Sequence, residues 1–262
     1  VAGVVLAELA EPVQHPPVGE NHLEAEHQIA GVAIGDHLRS TGVGRKVSTD
    51  GAGAFRRQRQ REQPIDRLRR LLCRDQGDAR LDRLRAIVGP TNVLTDAMDV
   101  EPHLVELRGL YRGATPAVVR PKTTAEVSAL LRLADEFGLK IVPQGGNTGL
   151  VGGQTPSPAG DEIVLSLKRM DRIREVDPVT DTMTVEAGVT LLTAQEAAEG
   201  VDRLFPLSLA AEGSCTIGGN LATNAGGTQV IAYGNARDLV LGLEVVLADG
   251  RVLDGLGKLR KD

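Results

Sequence analysis

Pro143-Gln144-Gly145-Gly146-Asn147-Thr148-Gly149-Leu150-Val151-Gly152-Gly153 follows a short apolar run, Lys140-Ile141-Val142. Five glycines fall within the nine residues 145–153. Glycine costs backbone entropy on folding, so a cluster this dense needs a physical reason. The reason that fits is a row of backbone N–H groups presented to an anion with no Cβ in the way. A flexible surface loop is the plainer alternative. No Gly-Lys-Ser/Thr follows, which excludes a Walker A loop. The stretch runs on to Pro156-Ser157-Pro158 and cannot open a helix, which excludes a Rossmann dinucleotide turn. It reads as strand, anion cradle and further loop, with Gly146 expected at positive φ against a diphosphate.

A second cluster, Gly213-Ser214-Cys215-Thr216-Ile217-Gly218-Gly219-Asn220-Leu221-Ala222-Thr223-Asn224-Ala225-Gly226-Gly227, again mixes glycine with short hydroxyl and amide side chains. These groups bond phosphates and heterocycle edges at close range. Two such loops imply a long ligand held at two places, which suits a dinucleotide better than a mononucleotide.

The bulk properties narrow the classes. A length of 262 residues predicts one or two domains. A formal net charge of −5 argues against general nucleic-acid binding or an anionic membrane surface. Aromatic residues make up 2% of the chain and Trp is absent, so no stacking platform for single strands exists. Cys73 and Cys215 lack metal-ligand spacing and give no disulfide framework, which points to a reducing compartment. No apolar run is long enough to span a bilayer, and the opening residues lack a basic signal-peptide start. The expectation is a cytoplasmic protein.

Residues 1–64 read differently from the rest. They hold His15, His22, His27 and His37 and the run Arg56-Arg57-Gln58-Arg59-Gln60-Arg61, with no sustained period. The histidines are unpaired in spacing, so solvated side chains are expected rather than a metal site. This segment, which starts on Val1, is expected to be a disordered or non-native extension. Residues 65–115 form a helical lead-in and connector, with Leu68, Leu71, Leu72, Leu81, Leu84 and Ile87 at helical spacing. His103 lies in the connector and reads as a surface residue.

The globular pattern starts near residue 116. Ala117-Val118-Val119 is a strand, and Thr123-Thr124-Ala125-Glu126 supplies a capping box for a helix ending at Gly138. Lys140-Ile141-Val142 completes a β-α-β unit with parallel strands. Further strands are read at 162–166, 173–176, 182–187 and 239–247, with a short helix at 190–198. Asp249-Gly250 turns the last strand into a return, Val252-Leu253, beyond which a sheet is expected to be interrupted.

The motifs 143–153, 213–227 and Gly242-Leu243-Glu244-Val245-Val246-Leu247-Ala248-Asp249-Gly250 occur in this order in one family. The chain resembles the flavin-linked oxidases with a p-cresol methylhydroxylase-type FAD domain, in the branch of FAD-dependent D-2-hydroxyglutarate and D-lactate dehydrogenases. The resemblance implies an α+β fold over 116–262, two small α/β subdomains clasping FAD and incomplete at the C-terminal end. It implies cofactor contacts from Pro143, Gln144, Gly145, Gly146, Asn147, Thr148, Gly149 and Leu150, with Asn147 and Thr148 adding side-chain bonds to the pyrophosphate. It also implies contacts from Gly213, Ser214, Gly218, Gly219, Asn220, Thr223, Asn224, Gly226 and Val245. The first loop carries no His for covalent attachment, so non-covalent FAD is expected.

In the family a separate substrate domain grips a small 2-hydroxyacid and holds a His/Glu metal site. No counterpart is read here, so catalytic residues stay unassigned and no metal is expected. The implied reaction is hydride transfer from a D-2-hydroxyacid to flavin, with electrons passed on to an electron-transfer flavoprotein or quinone. Two other readings stay open: a stand-alone flavin-binding subunit, and an inactive fragment.

Overall fold

The computed structural model describes residues 2–10 and 79–257. Two sheets form its frame. The first takes the order β2 (Val93–Leu94), β3 (Val118–Val119), β5 (Glu162–Ser166), β4 (Lys140–Gln144). Strands β3 and β4 both run parallel to β5, which lies between them, and β2 is antiparallel to β3. The expected β-α-β unit is therefore present, with its two strands separated by a third inserted later in the chain.

Helix α3 (Thr124–Phe137) makes the crossover. The Thr123 hydroxyl accepts the Glu126 N–H at 3.2 Å, and Gly138 closes the helix at φ 61°. The Glu126 carboxylate takes the N–H of Lys122, one residue before the expected capping partner. Val127, Leu130 and Leu131 of α3 pack with Val119, Ile163 and Leu165 on one face of the sheet, joined by Leu84 and Val88 of helix α1 (79–88). The helical reading of residues 66–78 lies outside the described residues.

The opposite face is covered by the connector. Val100, at the end of α2 (Ala97–Val100), and Leu104 pack on Val118 and Val164. The connector is held in shape by the buried Glu106, whose carboxylate accepts the N–H groups of Arg108, Leu110 and Tyr111. The bond from the Arg108 backbone, with those from Leu110 and Tyr111, keeps this carboxyl below its ordinary pKa against the opposing effect of burial.

The second sheet has the order β6 (Ile173–Asp177), β7 (Thr182–Glu186), β1 (Ala2–Glu8), β8 (Val240–Val246), β9 (Val252–Asp254), antiparallel throughout. Residues 2–8 therefore do not behave as a disordered extension. They form the central strand, with Val5 facing Val185 on one side and Leu243 on the other. Alternate residues Val5, Ala7 and Leu9 enter a core with Met183, Val185, Phe205 and Ile217, as the period of a strand requires. The sequence pattern was short, interrupted by glycine and without a hairpin partner nearby, so local periodicity gave it no weight. Residues 11–64, including the four early histidines and the Arg/Gln run, lie outside the described residues.

Helix α4 (Leu191–Glu199) lies against this core, and the sheets are tied by polar contacts. The Thr124 hydroxyl donates to Glu244 on β8, and the Ser128 hydroxyl to the Gly250 carbonyl in the β8–β9 turn. Beside them Glu186, fully buried on β7, accepts from Arg172 at 2.8 Å and Arg174 at 3.4 Å.

Two outcomes are expected. Val5→Asp places an unpaired carboxylate in the middle of the second sheet and costs about 3 kcal/mol or more in urea unfolding; an unchanged midpoint would remove β1 from the sheet. Glu106 has a depressed folded pKa, so its contribution is present above the unfolded carboxylate value and lost as pH falls through the folded one. The stability gap between wild type and Glu106→Gln should therefore narrow as pH drops below about 4, whereas a gap independent of pH would show that the carboxylate is not the group holding the loop.

Candidate functional site

The first glycine loop leaves the carboxyl end of β4, and the second surrounds a helix that the sequence reading treated as loop, α5 (Ile217–Thr223). The two clusters meet. A Cβ at Gly146 would overlap the Ser214 carbonyl oxygen, and one at Gly145 the Thr216 hydroxyl. Close approach of one backbone to another is thus the reason for glycine at both positions. Positive φ falls on the next residue, Asn147 (φ 60°), and not on Gly146 as expected.

The side chains of the first loop turn to the connector. Asn147 Nδ2 donates to the Val105 carbonyl at 2.8 Å and the Pro102 carbonyl at 3.1 Å. Gln144 is buried, and its Nε2 donates to the carbonyls of His103 and Gln154, both at 3.0 Å. Its Oε1 therefore faces His103 Nδ1 at 2.5 Å as the acceptor, which puts the proton on Nδ1. These amides fix the loop, and with both Nδ2 bonds spent on carbonyls Asn147 has no donor left for the side-chain bond to a pyrophosphate that was expected of it. Its Oδ1 is buried without a partner.

His103 is accordingly not a plain surface residue. Burial lowers its pKa most, and the Lys168 and Arg120 charges lower it further, against the bond to Gln144. Sequence reasoning missed it because its partner lies 41 residues away. Pro143 is exposed, Gly149 offers its carbonyl to Gln154 Nε2, Thr148 is half-buried, and the Leu150 carbonyl receives the Arg108 guanidinium.

In the second loop Gly213 and Ser214 are exposed, while Thr216 is buried at the start of α5 with its hydroxyl unpartnered. The helix is seated by Ile217 N–H on the Val189 carbonyl and Gly218 N–H on the Ala187 carbonyl, both 2.9 Å. Gly219 sits over the Thr216 hydroxyl. Asn220 is buried and donates to Cys215 Sγ at 3.6 Å. Burial raises the pKa of Cys215, consistent with an inert small side chain rather than a redox thiol.

Thr223 back-bonds to the Gly219 carbonyl. Asn224 ends the helix at φ 50° and accepts the Arg237 N–H, while the Arg237 guanidinium caps the carbonyls of Leu221 and Ala222. Gly226 lies beside Val230 and Asn235. Val245 stands in the β8 ladder between Ala2 and Leu253, outside both loops. No group of His, Cys, Asp and Glu suited to a metal occurs among the described residues.

At the meeting of the loops lie bare backbone and the unpartnered Thr216 hydroxyl, and elsewhere Asn147 Oδ1, Ser166 Oγ (opposite Gln144 on β5) and Thr155 Oγ1 are likewise buried without partners. Buried polar atoms are rarely left unpaired without a ligand or water to serve them. Hydroxyls can donate to phosphates, whereas the amide oxygen can only accept, as from an N–H on the edge of a heterocycle.

Comparison with known proteins agrees. A family profile described as FAD binding domain matches residues 115–255. The mitochondrial D-2-hydroxyglutarate dehydrogenase of Bos taurus is 44% identical over 199 residues, covering 76% of this chain and 36% of that protein. A probable mitochondrial D-2-hydroxyglutarate dehydrogenase of Oryza sativa subsp. indica is 47% identical over 178 residues, 68% of this chain and 32% of that protein. Among solved structures, p-cresol methylhydroxylase with substrate bound superposes with a TM-score of 0.57 at 25% identity, over 67% of this chain and 34% of that one.

The chain thus spans about a third of the length of the curated relatives it matches. Their names also overturn the expectation of a cytoplasmic protein, since both are mitochondrial. Two cysteines without metal-ligand or disulfide-framework spacing and the lack of a bilayer-spanning run carry no information that separates one reducing compartment from another. With the profile matching more than half of its residues, the chain belongs to the FAD binding domain family.

Proposed function

We propose that this chain is the FAD-binding portion of a flavin-dependent D-2-hydroxyacid dehydrogenase, of the D-2-hydroxyglutarate or D-lactate type. The observation that carries the reading is the contact of the two glycine clusters, Gly145-Gly146 against Ser214 and Thr216, from segments about seventy residues apart. The relatives named above support the substrate class. Flavin, when bound, would supply the two-electron acceptor for the α-hydrogen of the hydroxyacid, the hydroxyl proton going to a base.

The chain's own part is to bind and orient. Backbone N–H groups of residues 145–150 would face the diphosphate, with Asn147 holding the loop through its Nδ2 bonds to the connector. Ser214, the Thr216 hydroxyl and Gly218-Gly219 line the second half of the ligand, and no covalent link is made. The 2-hydroxyacid and the base belong to the length of the relatives that this chain does not span. Reoxidation by an electron-transfer flavoprotein or a quinone is part of the same proposal and rests on the family resemblance.

The test is titration of the purified protein with FAD, followed by quenching of flavin fluorescence. Saturable one-to-one binding is expected, with stabilisation of about 2.7 kcal/mol at a hundredfold excess over the dissociation constant. Gly146→Val should abolish it, because the side chain pushes the Ser214 carbonyl away and parts the loops. Circular dichroism of the variant separates loss of the site from loss of the fold. A folded Gly146→Val protein with wild-type affinity would refute the site, and a wild type that leaves FAD fluorescence untouched would refute the function.

A further inference from the structure

The carboxyl ends of three parallel strands collect positive charge that the reading above does not use. Arg120 follows β3 directly, and Val119 pairs in register with Leu165. Lys168 follows β5, where Gln144 pairs with Ser166 and the Leu167 N–H continues the ladder to the Gln144 carbonyl at 2.9 Å. Both cations act on the ring of His103, which bonds to Gln144 at the root of the first glycine loop. In sheets of this kind, ligands bind outside the carboxyl ends of the strands.

Nothing in the described residues neutralises this group. Lys168 is exposed and forms no ion pair. Arg120 spends one Nη on the Thr91 carbonyl at 2.9 Å, and its Nε is buried without a partner. The acid nearest in sequence to His103, Glu101 on the same 3-10 turn, is taken by Arg112 at 2.7 Å. Gln144 on β4 bonds the ring, and the two cations stand beyond the same ends of the neighbouring strands β3 and β5, their charges lowering its pKa behind burial. Ser166 Oγ, buried at the end of β5, is a further polar atom with no partner. Two cations, a half-buried imidazole and an unpartnered hydroxyl around a glycine loop are a set of groups suited to an anion.

We propose that Arg120, Lys168 and His103 form the cationic wall of the anion site at the first glycine loop, and that the diphosphate of the cofactor is taken up together with a proton on His103. This rests on the assignment of FAD to the loop. The chemistry follows from the tautomer. Nδ1 already carries a proton for Gln144, so the second proton goes to Nε2 and leaves the Gln144 bond intact. Arg120 and Lys168 oppose that charge in the free protein, and two phosphate charges nearby reverse the balance. Binding and protonation are then linked, and affinity rises as pH falls between the depressed midpoint of the free protein and the raised midpoint of the complex.

The experiment is calorimetric titration of the full chain with FAD in buffers of different ionisation enthalpy, repeated at several salt concentrations. Wild type should take up a fraction of a proton on binding, and His103→Asn should take up none. Lys168→Gln should weaken binding about fivefold and flatten its salt dependence, as expected for one exposed charge. Lys168→Arg should restore both, and inorganic pyrophosphate should compete. A structural role for Lys168 would move stability without moving the salt slope. Binding that is independent of buffer, or a Lys168→Gln protein equal to wild type, overturns the inference while leaving FAD at the loop. Absence of any FAD binding overturns the inference and the assignment beneath it together.

Discussion

Two glycine-rich segments approach each other so closely that no side chain fits between them, and the rest of the structure is arranged to permit that approach. Gly146 lies on the Ser214 carbonyl and Gly145 on the Thr216 hydroxyl. Each partner is anchored from behind. The first loop issues from β4, fixed in the sheet by five residue pairs with β5. The second is seated through the amides of Ile217 and Gly218 on the turn that follows β7. The contact brings the loop that leaves the first sheet onto the segment seated against the second, with the Thr216 hydroxyl unpartnered between them.

The connector contributes more than a link. Its carbonyls at 102, 103 and 105 receive the amides of Asn147 and Gln144, so the loop is fixed by its side chains and leaves its backbone free for a ligand. Away from the loops the sheets are joined by polar contacts. The buried Glu186 would be costly alone, but Arg172 and Arg174 both reach it, and Arg174 goes on to Glu244, which Thr124 also bonds. The result is a polar seam between α3 and the second sheet, beside an apolar core on either side.

Much of the fold was legible where local chemistry decides it. The Thr123 cap, the Gly138 stop and the strand at 162–166 appear where the sequence places them, because capping and β-branched runs act over a few residues. The clusters were legible as places that demand bare backbone, but the reason at 145 and 146 is the approach of Ser214 and Thr216, which the sequence does not display. What escaped depends on distance. The role of His103 is defined by Gln144, the need for glycine at 146 by Ser214, and the strand character of residues 2–8 by partners on β7 and β8. None of these partners is a sequence neighbour, so no window of residues contains the information. The reading of α5 as loop failed for a related reason: two glycines weaken helix propensity, and tertiary amide bonds at its start restore it.

The place of β1 bears on how the polypeptide reaches its native state. Its partners in the ladder lie roughly 180 and 240 residues further along the chain. During synthesis the first strand emerges long before either neighbour exists, and β7 and β8 have no common sheet until it returns. High contact order slows folding, and a waiting strand with an apolar face is a site for wrong pairing. This sheet can therefore close only once β8 has been made, nearly the whole of the described sequence after β1.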